Sequence, residues 1–318
     1  MSSRRPLKIL YRFLILNLVF FILTAPFVIF YGPFPNVKNA VVEAMATSMH
    51  YGKYLKYFVS ASEFAQLMNN SLTVTTGNSE ILPQFNNSHD QSIKLDKING
   101  SRFKGYLLEI SDPTRVKIGV AQSLGTDGQT TSEIAKETGA VAAVNAGGFE
   151  DPSGTGTGRL PVGVIIQNGD FLAGESLKGP VNLVGLTDQG VLVAGSYTVS
   201  QMKNMRVNEG VTFAPPLIVN GKKQITQGDG GAGPGPRTAI GQRKDGTILL
   251  LVIDGRQPLY SIGATILDVQ NVLYAYGAYN AANLDGGSST TMYYNGKVIN
   301  SPADLLGERS IPTAIIVK

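Results

Sequence analysis

The stretch "TAIGQRKDGTILLLVI" (238–253) decides the fold class. Two apolar, strand-forming runs flank Asp245-Gly246, a pair suited to the positive backbone angles of a tight hairpin turn. The same arrangement recurs in "VGVIIQNGDFLAG" (162–174), "PLIVNGKKQI" (216–225) and "TTMYYNGKVI" (290–299), each built around Asn-Gly. Repeated hairpins of this kind predict a domain dominated by antiparallel pairing. Helical patterns are fewer. "TTSEIAKETG" (130–139) opens on a Thr cap and stops at glycine, and "ATILDVQNVLYAYG" (264–277) has helical apolar spacing up to Gly277. Strands with a few packed helices indicate an α+β fold with a largely antiparallel or mixed sheet.

Outward from this region the texture changes. Arg4, Arg5, Lys8 and Arg12 precede "FLILNLVFFILTAPFVIFYG" (13–32), a run without charge that is long enough to cross a bilayer as a helix. The basic flank predicts a cytoplasmic tail (1–12), a transmembrane anchor (13–32) and everything beyond it on the outer face. A cleavable signal peptide is the rival reading, but the run ends in proline and aromatic residues rather than the small residues of a cleavage site. Residues 33–70 have helix-forming composition and predict a stalk or collar, 71–94 read as a polar linker, and 95–318 form the main domain.

Composition removes several chemistries. The 318 residues include no cysteine and two histidines, His50 and His89, which leaves residues 90–318 without thiolate or imidazole. A Ser-His-Asp hydrolase, an HExxH metalloprotease and a histidine-ligated metal centre are therefore excluded there. The net charge is +4 and the basic residues are dispersed, so nucleic-acid binding has no support. Chemistry in this domain must come from carboxylates, guanidiniums, amides, hydroxyls and backbone dipoles.

Such groups recur beside glycines where strands end. "AVAAVNAGGFEDPSGTGTGRLPVG" (140–163) places Asn145 before Gly147 and Gly148, and "GDGGAGPGPRTAIG" (228–241) delivers Arg237 to a strand start. Asp254 and Arg256 follow "ILLLVI", while "NLDGGSSTTM" (283–292) sets Asp285 before Gly286, Gly287, Ser288 and Ser289. Arg309 precedes the last strand. Each segment alone is also explained as a turn, or, for Asp254 and Arg256, as an ion pair fixing a loop. Together they supply carboxylates and guanidiniums without histidine, a set suited to an anionic substrate because a guanidinium fork matches two phosphate oxygens.

"NAGGF", "PRTAIG", "VIDGR", "NLDGGSSTTM" and "ERSIPTAI", in this order, resemble the signature segments of the phosphodiester glycosidase family over residues 95–318. Ser288 stands where many relatives have a third glycine. The resemblance implies hydrolysis of a sugar-1-phosphodiester at the anomeric carbon. It also suggests a bacterial, membrane-anchored member acting on exopolysaccharide or teichoic-acid-type polymer. In that frame Arg237 and Arg309 contact phosphate, and Asp285 acts as base or nucleophile. Asp254 is its candidate partner, with Arg256 tuning it, and Asn145 holds a sugar hydroxyl or a water. Gly147, Gly148, Gly286, Gly287, Ser288 and Ser289 complete the substrate-binding set. No cofactor is required; Ca²⁺ or another hard cation on Asp254 and Asp285 is a further reading, and a non-catalytic binding module for anionic cell-wall polymers is the alternative function.

Overall fold

"ILLLVI" becomes the strand Ile248–Ile253, with every residue buried because both of its faces are covered. In the computed structural model it pairs antiparallel with Arg237–Gln242 on one side and Lys104–Ile110 on the other. The described residues are 5–46, 51–71, 73–74, 77–79, 90–151, 157–304 and 306–318. His50 and His89 lie outside them.

Three larger sheets form the domain, and all their pairings are antiparallel. The first runs, from edge to edge, Lys222–Lys223, Pro216–Val219, Asn280–Leu284, Arg237–Gln242, Ile248–Ile253, Lys104–Ile110 and Ile93–Asn99. The second is Lys297–Val298, Met292–Tyr294, Ala142–Asn145, Thr313–Val317 and Val116–Val120. The third is Leu192–Tyr197, Val181–Thr187, Val207–Thr212, Ile165–Gln167 and Asp170–Ala173. All four expected hairpins are present. The hairpin Val181–Thr187/Leu192–Tyr197 and the short helix Val199–Asn204 were not expected from the sequence.

Alternation along each strand divides the core. Ile248, Leu250 and Val252 turn inward to meet Val144 and Ile315 of the second sheet and Leu192 and Val211 of the third. Leu249, Leu251 and Ile253 point outward onto the helix Ile266–Ala275 through Ile266, Val269 and Leu273. The helix Thr131–Glu137 covers the outer face of the second sheet with Ile134 and Ala135, and Met202 of Val199–Asn204 covers the third. The fold is three sheets around one shared core, each carrying one helix outside. All three helices begin at a threonine whose hydroxyl and a residue three positions on cap each other's backbone, the local signal that sets their start.

The chain divides into two units, Met1–Met68 and Asn69–Lys318. In the first, the apolar helix runs Arg5–Tyr31, so it begins within the basic flank rather than after it. Its segment Lys8–Tyr31 is long and apolar enough to span a membrane. Residues 33–70, read from the sequence as a stalk, contain the helix Pro35–Ala46, a 3₁₀ turn, Gly52–Tyr57, and most of the helix Ala61–Ser71, which runs past the end of this unit. Within the second unit, part of the expected linker is ordered against the domain. Thr73–Val74 pairs with Ile225–Gln227, and Ser79 exchanges hydrogen bonds with Ala194 and Tyr197.

Candidate active site

Register brings the signature segments to one end of the first sheet. Arg237 stands opposite Ile253, and Thr238 stands opposite Leu284, so Arg237, Asp254 and Asp285 leave the sheet side by side. The second sheet adds Asn145, which lies opposite Ala314, next to Thr313 and close to Arg309 in sequence. Backbones touch where these segments meet. A side chain at Gly286 would come within 2.9 Å of the Pro236 carbonyl oxygen, and one at Gly255 within 2.5 Å of the Pro236 nitrogen. Those two glycines are needed because Pro236 is clasped between the 254–255 and 285–287 turns.

Asn145 is the knot between the two sheets. Fully buried, it donates from Nδ2 to the Asp285 carbonyl at 2.5 Å, while its Oδ1 accepts from Thr238 Oγ1 at 2.7 Å and from the Thr291 amide at 3.2 Å. Asp285 N donates in turn to the carbonyl of Ala146. The Asp285 backbone is thus held from both directions, which fixes where its carboxylate points.

That carboxylate is unusual. Oδ1 accepts from the Gly286 amide at 3.0 Å, but Oδ2 is closed to solvent and receives no hydrogen bond of normal geometry from the described residues, the Ser289 hydroxyl acting on the carboxylate only weakly. The residue as a whole is part-exposed; Oδ2 is not. Burial pushes its pKa up to about 6, even though the Ser289 hydroxyl, the guanidiniums of Arg309 and Arg256 and the Gly286 amide all favour the anion. Buried oxygens of Asn283, Ser289, Thr290 and Thr291 are likewise unpartnered, so the segment 283–291 concentrates unsatisfied polar atoms around Asp285.

The four other charged residues take different positions. Asp254 is completely buried and both oxygens are engaged: Oδ1 accepts from Asn300 Nδ2 at 3.0 Å and from the Ser301 amide at 2.9 Å, and Oδ2 from Tyr260 OH at 3.2 Å. Desolvation raises its pKa against those bonds. Tyr260 is itself pushed up to about 12, by desolvation and by the neighbouring Asp254, and so remains a donor. Arg237 is also buried. Its Nε and Nη2 donate to the carbonyls of Ala264, Ala232 and Gly233, which braces the glycine loop 228–236. Desolvation lowers its pKa to about 10, and Arg256 adds repulsion.

Arg256 and Arg309 approach Asp285 from opposite loops. Arg256 has φ +60°, and its guanidinium lies over the 287–288 turn, with Nη1 3.4 Å from Ser288 Oγ. A side chain at Gly287 would meet Arg256 Nη2 at 3.2 Å, so Gly287 leaves room for the guanidinium. Arg309 donates from Nη2 to Asp151 Oδ2 at 2.7 Å and stacks over the Phe149 ring at 4.9 Å. Gly147 donates from its amide to Thr313 Oγ1, and Gly148 packs on Phe213; both serve the strand-to-loop transition behind Asn145. Asp151, Asn300 and Tyr260 were not singled out in the sequence, because the loop 254–261 and the turn 300–301 touch only in three dimensions. Among the described residues no group of three or more His, Asp or Glu side chains is placed to hold a metal.

The chain is 30% identical over 212 residues to the SPbeta prophage-derived uncharacterized protein YomE of Bacillus subtilis, covering 64% of this chain and 31% of that protein. It is 25% identical over 246 residues to mouse N-acetylglucosamine-1-phosphodiester alpha-N-acetylglucosaminidase, covering 68% of this chain and 45% of the mouse enzyme. The chain thus spans less than half the length of these curated relatives. The zebrafish form of that enzyme, solved as a catalytic domain auto-inhibited by its pro-peptide, has the same fold: TM-score 0.62 at 22% identity, over 77% of this chain and 88% of that one. A putative exported protein of Burkholderia pseudomallei matches with TM-score 0.51 at 18% identity, over 68% of this chain and 74% of its own. The phosphodiester glycosidase family model matches residues 138–318, more than half of the chain and all five signature segments. With both the sequence match and the converged loops in place, the chain belongs to the phosphodiester glycosidase family.

Proposed function

We propose that this chain is a hydrolase that cleaves a sugar-1-phosphodiester at the bond between the anomeric carbon and the phosphate oxygen. The observation that carries the reading is Asp285 Oδ2, a carboxylate oxygen closed to solvent and without a hydrogen bond of normal geometry among the described residues, with Arg309 and Arg256 close enough to favour its charge. A phosphodiester departs as a phosphate monoester, a weak base, so the site needs little proton donation to the leaving group. Its main tasks are to neutralise phosphate and to stabilise an oxocarbenium-like carbon. Arg256 and Arg309 supply positive charge beside the carboxylate. Asp285, ionised above a pKa of about 6, serves as nucleophile or as base toward water. Arg237 and Asp254 contribute by holding the loops 228–236 and 300–301 that frame the site.

The relatives named as N-acetylglucosamine-1-phosphodiester alpha-N-acetylglucosaminidases support a sugar-1-phosphodiester as the substrate class. The finer reading is that the enzyme works outside the cytoplasmic membrane on cell-surface polysaccharide or teichoic-acid-type polymer, tethered by the helix Arg5–Tyr31. The test is to incubate the purified chain and Asp285→Asn with a panel of sugar-1-phosphodiesters and to measure released sugar. Activity in the parent and a loss of at least about 100-fold in the variant are expected, in line with removal of a principal catalytic group. Full activity in the variant would remove Asp285 from the mechanism. Salt-sensitive retention of anionic polymer with no sugar released would replace hydrolysis with binding.

A further inference from the structure

We propose that the segment Tyr51–Phe58 is an interfacial collar that seats on the headgroup layer of a bilayer containing anionic lipids. The inference rests on reading Lys8–Tyr31 as a membrane span and goes beyond it by assigning a second contact with the lipid.

A 3₁₀ helix has three residues per turn, so side chains at i and i+3 stand one above the other. Gly52–Tyr57 adopts this form, and both flanking residues, Tyr51 and Phe58, continue in right-handed helical geometry. "YGKYLKYF" (51–58) therefore separates into three rows. Tyr51, Tyr54 and Tyr57 make one row and are 59%, 46% and 68% exposed. Lys53 and Lys56 make the second, with each ammonium lying 5.2–5.3 Å from the ring of the following tyrosine. Gly52, Leu55 and Phe58 make the third. Leu55 is buried, and Phe58 packs with Phe30, Val42 and Val59.

The third row sets the depth at which the others sit. Phe30 is the penultimate residue of the apolar helix, and its ring stacks on Phe58 with centroids 4.5 Å apart and planes 13° from parallel. The collar is thus fastened to the end of the candidate span, at the level where a chain emerges from hydrocarbon into headgroups. The small unit is closed beside it by Lys38, which pairs with Glu63 at 2.5 Å. Tyrosine prefers this interfacial zone because its ring is apolar and its hydroxyl is wet. Lysines at the same level are attracted by a negatively charged leaflet. A row of tyrosines and a row of lysines, both facing outward, match lipid chemistry better than they match bulk water.

The chain has no tryptophan, so one substitution creates a unique indole reporter. The experiment uses the full chain in nanodiscs of phosphatidylcholine with or without phosphatidylglycerol, and compares plain lipid with lipid brominated either high or low on the acyl chain. Tyr54→Trp is expected to show blue-shifted emission and stronger quenching by bromines near the headgroup than by bromines near the chain end. Phe21→Trp, in the middle of the span, is expected to show the reverse order. Adding Lys53→Glu and Lys56→Glu to Tyr54→Trp should bring quenching in anionic nanodiscs down to the level seen in phosphatidylcholine alone. Emission of Tyr54→Trp that ignores bromine at either depth, while Phe21→Trp is quenched, overturns the collar and leaves the anchor standing; it would mean that protein covers the tyrosine row. An unquenched Phe21→Trp removes the anchor and the collar together. Unchanged quenching in the lysine variants overturns the anionic-lipid part.

Discussion

At the scale of single residues, Asp285 combines a functional expectation with a stability expectation of known sign. Its folded pKa of about 6 lies above the ordinary carboxylate value of 3.8, so folding favours the protonated form. That contribution is complete below about pH 4 and is lost as pH rises through about 6; a shift of this size corresponds to about 3 kcal/mol. Asp285→Asn, uncharged throughout, should therefore be more stable than the parent at pH 8 and lose that advantage at pH 4, as measured by denaturant unfolding at both values. An advantage independent of pH would contradict it. Hydrolysis by the parent should fall as pH drops through about 6, because nucleophile and base both require the anion. Asn145→Ala tests the knot behind this residue. It strips partners from the Asp285 carbonyl, Thr238 Oγ1 and the Thr291 amide, each worth about 1–3 kcal/mol when left buried and unpaired, so both stability and turnover should drop. If the melting temperature and kcat are both unchanged, the knot is not needed. The sequence made Asp285, Asp254 and Arg237 look alike, each a charged residue beside glycine at a strand end. What separates them is partner geometry: Asn300 and Ser301, more than forty residues away, for Asp254, three loop carbonyls for Arg237, and no hydrogen bond of normal geometry on Oδ2 among the described residues for Asp285.

At the scale of elements, signals confined to a few neighbouring residues carried through to the structure. Asn168-Gly169, Asn220-Gly221 and Asn295-Gly296 all adopt the positive φ angles their hairpins require. The threonine before "ILDVQNVLYA" caps its helix, with the Asp268 amide donating to Thr265 Oγ1 at 3.1 Å and Asp268 Oδ2 accepting from the Thr265 amide at 2.9 Å. Thr265→Ala should cost about 1 kcal/mol, read from denaturant unfolding. Arg102→Ala should cost less, because the Arg102–Asp268 pair is part-exposed and a screened pair is worth little. A larger loss for Arg102 than for Thr265 would show that the ion pair, not the cap, sets the start of this helix. The elements missed have weaker local signals. Val199–Asn204 is only 6 residues, too short to show a helical period, although its Thr198/Gln201 capping box was present in the sequence. The hairpin Val181–Thr187/Leu192–Tyr197 turns through Asp188-Gln189-Gly190, without the adjacent Asn-Gly or Asp-Gly pair that marked the others.

For the molecule as a whole, the order of the five signature segments was readable, but their distribution between sheets was not. "PRTAIG", "VIDGR" and the start of "NLDGGSSTTM" belong to the first sheet, while "NAGGF" and "ERSIPTAI" belong to or flank strands of the second. Antiparallel neighbours such as Lys104–Ile110 and Ile248–Ile253 are separated by more than a hundred residues, and periodicity carries no information about such pairings. The cores divide more simply. The cluster of the first unit draws only on residues between Ile29 and Leu67, and the clusters of the main domain begin at Ile93. Among the described residues each unit has an apolar cluster of its own and so the means to hold itself together. A fragment spanning residues 69–318 should remain soluble without detergent, unfold in one cooperative transition and hydrolyse a water-soluble sugar-1-phosphodiester with the kcat/KM of the full chain in detergent. The full chain should sediment with membranes. Equal kcat/KM together with loss of sedimentation would assign catalysis to the second unit and location to the first. A fragment that aggregates, or that is folded but inactive while the full chain turns over, would mean that the helical unit contributes to the active domain itself.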